Sequence, residues 1–365
     1  MDINELLTTV VGQNASDLHV KVGSFPVIRV NGELIQLESK DKITQEAAVT
    51  IISALMNDSQ KKRFVEKKEV DLSYSISGLG RFRVNVFQQR GSIGMVFRVI
   101  PMRILTIADL GLPKILEKLS LEPRGLILVT GTTGSGKSTT LAAMIEHINM
   151  YKTMHIMTIE DPIEYLYKDK KSLINQREIG QDADTFAGAL RSALRQDPDV
   201  ILVGEMRDFE TISTAITAAE TGHLVLSTLH TVDAVETINR VIGIFPPYQQ
   251  KQIRLQLSSV LKGVVSMRLV PRADGKGRVP AVEVMVATAT IRDCILDGDK
   301  TRKIHDVIAA GASQYGMQTF DQSLYKLFKD NLITYEEALR RCNNPDDFAL
   351  KVKGIQSDSD TRWEK

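Results

Sequence analysis

The chain has 365 residues, 43% hydrophobic and 25% charged, which is enough for two domains with substantial cores. A formal net charge of +1 argues against a dedicated nucleic-acid binder, and two isolated cysteines with no CxxC pair fit a reducing compartment better than a disulfide framework. No apolar run reaches the ~18 residues of a membrane span, and the acidic start MDINELLTTVVG lacks a basic leader, so a cytoplasmic protein without a transmembrane segment is expected.

Residues 1–98 read as a small α+β domain with an antiparallel sheet. In FPVIRVNGELIQL, Asn31-Gly32 between apolar runs signals a hairpin. ITQEAAVTIISALM follows as a helix, with Ala48, Ile51, Ile52, Leu55 and Met56 on one stripe; it is the one helix expected in this domain. VDLSYSISGLGRFRVNVFQQRGSIGMVFRVI then reads as three strands joined by turns at SGLG and RGS. Alternation in RFRVNVF puts Arg81, Arg83 and Asn85 on one face and Phe82, Val84 and Val86 on the other.

Residues 99–106 read as a linker, since Pro101 lacks the donor that would extend a ladder. Over 107–365 strands alternate with helices, the pattern of a parallel α/β sheet. Strands are expected at 126–130, 155–159, 200–204 and 224–229. KSTTLAAMIEHIN, TFAGALRSALRQ and FPPYQQKQIRLQLSSVLKGVV read as helices, the last of them long and amphipathic. VSMRLVPRADGKGRVPAVEVMVA reads as a hairpin, residues from about 290 as helices, and the tail 355–365 as disordered.

The stretch LILVTGTTGSGKSTT carries the most specific signal. Gly131 to Ser138 satisfy G-x-x-x-x-G-K-[ST] between a strand and a helix, the context a phosphate cradle requires. Its glycines let backbone N–H groups converge on phosphate oxygens at a positively polarised helix N-terminus. Gly131, Thr132, Thr133, Gly134, Ser135, Gly136, Lys137, Ser138 and Thr139 are therefore the candidate nucleotide-binding residues. Lys137 would reach the β- and γ-phosphates of ATP, and the Ser138 hydroxyl would hold Mg²⁺.

In an open parallel sheet, ligands bind beyond the carboxyl ends of the strands. HIMTI runs into Glu160, Asp161 and, past Pro162, Glu164; VILVG runs into Glu205; LVLSTL runs into His230. VILVGE resembles a Walker B strand in which Gly204 stands at the usual magnesium-bound aspartate position. Glu205 is then expected to serve the metal, partly through water, while a second acid shares the work. Glu164 is the choice for that acid, with a capping role as its alternative. His230, beyond its strand end, is better placed than His223 to sense a γ-phosphate.

Together these segments resemble the type II/IV secretion ATPases and, within them, the type IV pilus retraction, or twitching-motility, ATPases. The likeness rests on GTTGSGKS (131–138), the acidic box TIEDPIEY (158–165), VILVGEMRD (200–208), the histidine box TGHLVLSTLHT (221–231) and the early ASDLHV (15–20). It implies a PAS-like N-terminal α+β domain, a RecA-like P-loop ATPase domain with a helical C-terminal extension, and Glu164 as the catalytic carboxylate. It also implies a homo-hexamer at the inner face of the inner membrane, working on a PilC-like platform protein, with other pilus ATPases as possible companions. TIRDCILD (290–297) departs from the retraction helix motif AIRNLIRE, with Cys294 and Leu296 replacing leucine and arginine. The four-cysteine zinc site usual in extension and type II secretion ATPases is absent from the sequence, which favours retraction over extension, the alternative in the same superfamily. A RecA-like nucleic-acid translocase is the alternative from another class.

Phosphoryl transfer concentrates negative charge, which motors commonly offset with an arginine from a neighbouring subunit. Arg81 and Arg83 are the candidates, against the plainer reading of a solvated strand face.

Overall fold

The computed structural model describes residues 2–354 except Ser39 and Met102; the tail expected to be disordered lies outside the described residues. The chain divides into two compact units: residues to Arg103 with Glu164–Leu166, and Ile104–Ile163 with all that follows Tyr167, itself included.

The first unit contains α1 (Ile3–Gly12), β1 (Asp17–Lys21), β2 (Val27–Val30), β3 (Glu33–Gln36), α2 (Gln45–Leu55), α3 (Asp58–Lys67), β4 (Glu69–Ile76), β5 (Gly80–Gln89) and β6 (Ser92–Ile100). Its six strands form an antiparallel sheet in the order β3-β2-β1-β6-β5-β4. Asn31 (φ 51°) and Gly32 (φ 92°) make the first hairpin turn, and Arg90 (φ 46°) with Gly91 (φ 75°) makes the β5–β6 turn. Both pairs take the left-handed backbone that matches strand twist. Three helices stand where one was expected. α1 begins at the Asp2 cap and buries Ile3, Leu6, Leu7 and Val10, one helical stripe. α3 buries no side chain fully; a capping box between Asn57 and Gln60 starts it and left-handed Lys68 ends it.

The second unit runs through α4 (Ile115–Ser120), β7 (Gly125–Thr130), α5 (Lys137–Tyr151), β8 (His155–Glu160), β9 (Leu173–Glu178), α6 (Phe186–Ala193), β10 (Val200–Val203), α7 (Phe209–Glu220), β11 (Leu224–Leu229), α8 (Ala234–Gly243) and α9 (Pro247–Val260). A hairpin of β12 (Leu261–Pro271) and β13 (Arg278–Val286) follows, then α10 (Ala289–Leu296), a 3₁₀ turn, α11 (Ile304–Ala310), α12 (Ala312–Tyr315), α13 (Phe320–Lys329), α14 (Tyr335–Arg341) and α15 (Pro345–Val352). The seven-stranded sheet has the order β13-β12-β7-β11-β10-β8-β9, parallel except for the β12–β13 pair.

Alternate residues of β7 enter different cores. Leu126 and Leu128 join the cluster of α6–α9, while Ile127 and Val129 join that of α4 and α5. Helices on both faces make these strands continuous apolar runs rather than alternating ones. Each fully buried aliphatic side chain contributes ~1.5–3 kcal/mol, so these clusters outweigh exposed ion pairs such as Lys61–Asp58.

Two expectations change here. The helix expected over 245–265 ends at Val260, and Leu261, Val264 and Val265 continue as β12 beside β7, with no exposure. Tertiary pairing overrides the helical pattern there. β9, which sequence reading left out, pairs with β8 at the sheet edge; its LINQRE segment is mostly polar and has no apolar periodicity.

Candidate active site

β7 delivers Thr130 to the carboxyl edge of the sheet, and the chain turns there on glycine. At Gly131 (φ +139°) a Cβ would lie 2.5 Å from Ser135 Oγ and 2.6 Å from the Met267 carbonyl of β12, so no side chain fits. Gly136 (φ +99°) caps α5 from the left-handed region and supplies no side-chain acceptor, leaving the first helical N–H groups for another partner. Lys137 is buried, and its Nζ donates to the Gly131 carbonyl (2.8 Å) and the Thr132 carbonyl (2.9 Å). Ser135 Oγ is buried and has no hydrogen-bond partner among the described residues. Helix-terminal donors, an ammonium group and an unpaired hydroxyl on one side-chain-free turn fit a phosphate group. Thr132, Thr133 and Gly134 form the exposed part of the loop, with Ser138 and Thr139 half-buried on the first turn of α5.

β8 ends in Glu160, which is buried and accepts from Thr158 Oγ1 (2.7 Å) and from Gln176 Nε2 of β9 (3.2 Å). Glu164 is exposed on the loop that follows. That loop is tethered by Glu178 at the end of β9, whose Oε2 accepts the Ile163 N–H (3.2 Å) and whose Oε1 accepts from Gln181 (2.9 Å). Sequence reading missed Glu178, because an edge strand without apolar rhythm gives no sign that its last acid turns inward.

β10 ends at Val203, and Gly204 occupies a narrow crossing. Its N–H donates to the Ile159 carbonyl (2.8 Å), and a Cβ would stand 3.2 Å from that same oxygen. A side chain at this position presses on the backbone of β8, which would have to give by a few tenths of an ångström. Thr228 Oγ1 donates to the Gly204 carbonyl (2.7 Å), and the Met206 N–H donates to the Thr228 carbonyl (3.2 Å), so the backbone on both sides of Glu205 is fixed. Glu205 Oε2 meets Arg207 Nη2 at 2.8 Å and His230 Nε2 at 3.8 Å. The two strand-end residues that sequence reading singled out are thus neighbours, with Arg207 as an additional partner.

Other polar residues of these segments are spent on structure. Asp208 caps α7; burial works against its ionisation, but hydrogen bonds from the Thr211 N–H and hydroxyl hold it below the usual carboxylate range. His223 precedes β11, at the opposite end from His230, and its Nδ1 pairs with the Ala218 carbonyl (2.9 Å).

Arg81 and Arg83 belong to the first unit. β5 buries Phe82, Val84 and Val86 and turns Arg83 outward with half-exposed Arg81 and Asn85, the expected alternation. On the adjacent strand Arg98 pairs with Asp17 at 2.8 Å.

The phosphate loop, the switch point at β7 between β11 and β12, and the strand-end acids define a RecA-like P-loop ATPase. The chain belongs to the type II/IV secretion system protein family, whose model matches residues 1–310. It is 48% identical over 95% of its length to the whole of the type IV pilus retraction ATPase PilT of Pseudomonas aeruginosa. A twitching motility protein of Neisseria gonorrhoeae is 46% identical over 89% of this chain and 86% of its own. A crystal structure of the pilus retraction motor PilT with bound ADP superposes with a TM-score of 0.87 at 46% identity, covering 95% of this chain and 98% of that one. No helix among the described residues is long and apolar enough to cross a membrane.

Proposed function

We propose that this ATPase hydrolyses ATP with Mg²⁺ as a homo-hexameric motor that drives type IV pilus retraction and twitching motility. The observation that carries the chemistry is that the phosphate loop, Glu205 and His230 leave the neighbouring parallel strands β7, β10 and β11 at one edge. Lys137 and the α5 N-terminus bind the phosphates, and Ser138 with Glu205 would hold the metal. When bound, Mg²⁺ draws charge from the phosphate oxygens. Glu164 accepts the proton of the attacking water from the loop that Glu178 tethers. His230 reports the γ-phosphate to α8, and Arg81 or Arg83 offsets transition-state charge at a neighbouring subunit.

Likeness over nearly the full length to retraction ATPases supports the direction of work. Force would pass to a PilC-like platform protein from a peripheral position at the inner face of the inner membrane, with other pilus ATPases as companions. A clean deletion in the source bacterium tests this. Excess surface pili with no twitching are expected, whereas bald cells would make it an extension ATPase.

A further inference from the structure

A row of polar side chains crosses three strands inside the second unit. Thr130, the last residue of β7, donates from Oγ1 to Ser266 Oγ of β12 (2.9 Å), and Ser266 stands directly opposite Glu283 of β13. All three are buried, Glu283 to 1% exposure. Residues paired across a ladder share a face, so Glu283 lies on the same side of the sheet as the residue that leads into the phosphate loop. Its Oε1 accepts the N–H of Ala234, the first helical residue of α8, at 2.9 Å.

That N–H belongs to a tightly knit segment. Asp233 accepts the Glu236 N–H (2.7 Å), Thr231 shares a hydroxyl hydrogen bond with Thr237 (2.7 Å), and the Val232 N–H donates to Glu236 (2.9 Å). Residues 231–237 therefore move with the start of α8, and His230 is attached to their leading end.

We infer that Glu283 is a positioning residue for hydrolysis: it holds the first turn of α8, and the His230 segment with it, in register with the strand that bears the phosphate loop. This rests on reading Glu205 and His230 as part of the nucleotide site. The charged groups around Glu283 come from each packed element: Asp233 from the α8 cap, Arg268 from β12 and Asp321 from α13. Arg268 in turn stacks on Phe320 (3.8 Å) and donates to the Arg341 carbonyl (2.6 Å), and Asp321 accepts the Asn343 and Asn344 N–H groups. Glu283 thus sits between the sensing segment and the C-terminal helices.

Burial raises the Glu283 carboxyl to about 7, opposed by the Ala234 N–H and Arg268 and reinforced by Asp233 and Asp321. The folded site favours the neutral acid. Its contribution to stability is full below the unfolded value near 4.5 and is lost as pH rises through about 7.

Two conservative variants separate reach from charge. Glu283→Gln keeps the acceptor and removes the charge; Glu283→Asp keeps the charge and withdraws the acceptor by ~1.5 Å. Steady-state hydrolysis by the full-length assembly should show Gln near wild type. Asp should fall about tenfold or more in kcat, with KM for ATP within about threefold, because small misplacements act on the reacting geometry. The wild-type loss of thermal stability between pH 5 and pH 7.5 should flatten in Gln. Wild-type kcat in Asp, a Gln variant as slow as Asp, or a rise in KM at unchanged kcat would overturn the proposal. Failure of both variants to assemble would overturn it too, by making Glu283 a stability residue. Undiminished hydrolysis in Lys137→Ala would instead overturn the site reading underneath.

Discussion

The two sheets present polar chemistry in opposite ways. In the seven-stranded sheet, every residue of β7, β10 and β11 is buried, and the candidate groups appear only after the strands end. In the six-stranded sheet, β5 buries Phe82, Val84 and Val86 and carries half-buried Arg81 and exposed Arg83 on its other face. A strand covered on both sides can meet a ligand only through its terminal loop, where backbone N–H groups and short side chains converge, and a polar group within it, such as Glu283 of β13, acts only through its neighbours. A half-covered antiparallel strand can display charge along its length. The proposed reaction groups thus lie at the ends of the first kind of strand, and the proposed cations along the second.

Removal of the phosphate-loop cation should break this contrast most severely. Lys137→Ala should abolish hydrolysis by the purified protein; a near wild-type rate would move the working site away from the end of β7. Next in size is the acid on the loop after β8. Glu164→Gln should retain nucleotide binding and lose roughly 10²-fold in turnover, as expected when a positioned base is removed. Glu205→Gln should weaken the metal dependence instead. Normal turnover in Glu164→Gln beside a dead Glu205→Gln would assign water activation to the end of β10. The smallest and most discriminating effect concerns the arginines of β5. Subunits carrying Arg81→Ala and Arg83→Ala, co-assembled with Lys137→Ala subunits, should recover part of the ATPase activity, since some interfaces then combine intact halves. No recovery in demonstrably mixed assemblies would return those arginines to a solvated strand face.

Much of this contrast was legible beforehand, for physical reasons. Apolar-rich segments at 126–130, 155–159, 200–204 and 224–229 alternating with helices mark a parallel sheet, whose third strand stops at Val203, one residue short of the expectation, and alternation in RFRVNVF marks a strand covered on a single side. Asn31-Gly32 announces its turn because few residue pairs accept two left-handed conformations. What escaped depends on neighbours distant in sequence. The polar segment of β9 is a strand because β8 offers it an edge. The switch from α9 to β12 at Leu261 follows from the open side of β7. Arg207 acquires meaning only where the turn after β10 brings it to Glu205. Glu283 is hidden best: within RVPAVEVMV a lone acid between valines reads as solvent-facing, yet α8 and α13 cover that side.

The narrow crossing at Gly204 also couples that position to the neighbouring strand. For aspartate to stand at that position, the Ile159 carbonyl would have to retreat by a few tenths of an ångström while still accepting the 204 N–H, now at 2.8 Å. A metal-binding acid there therefore calls for an accompanying adjustment in β8. Replacement at Gly204 is thus a change to two strands at once, β10 and the neighbouring β8.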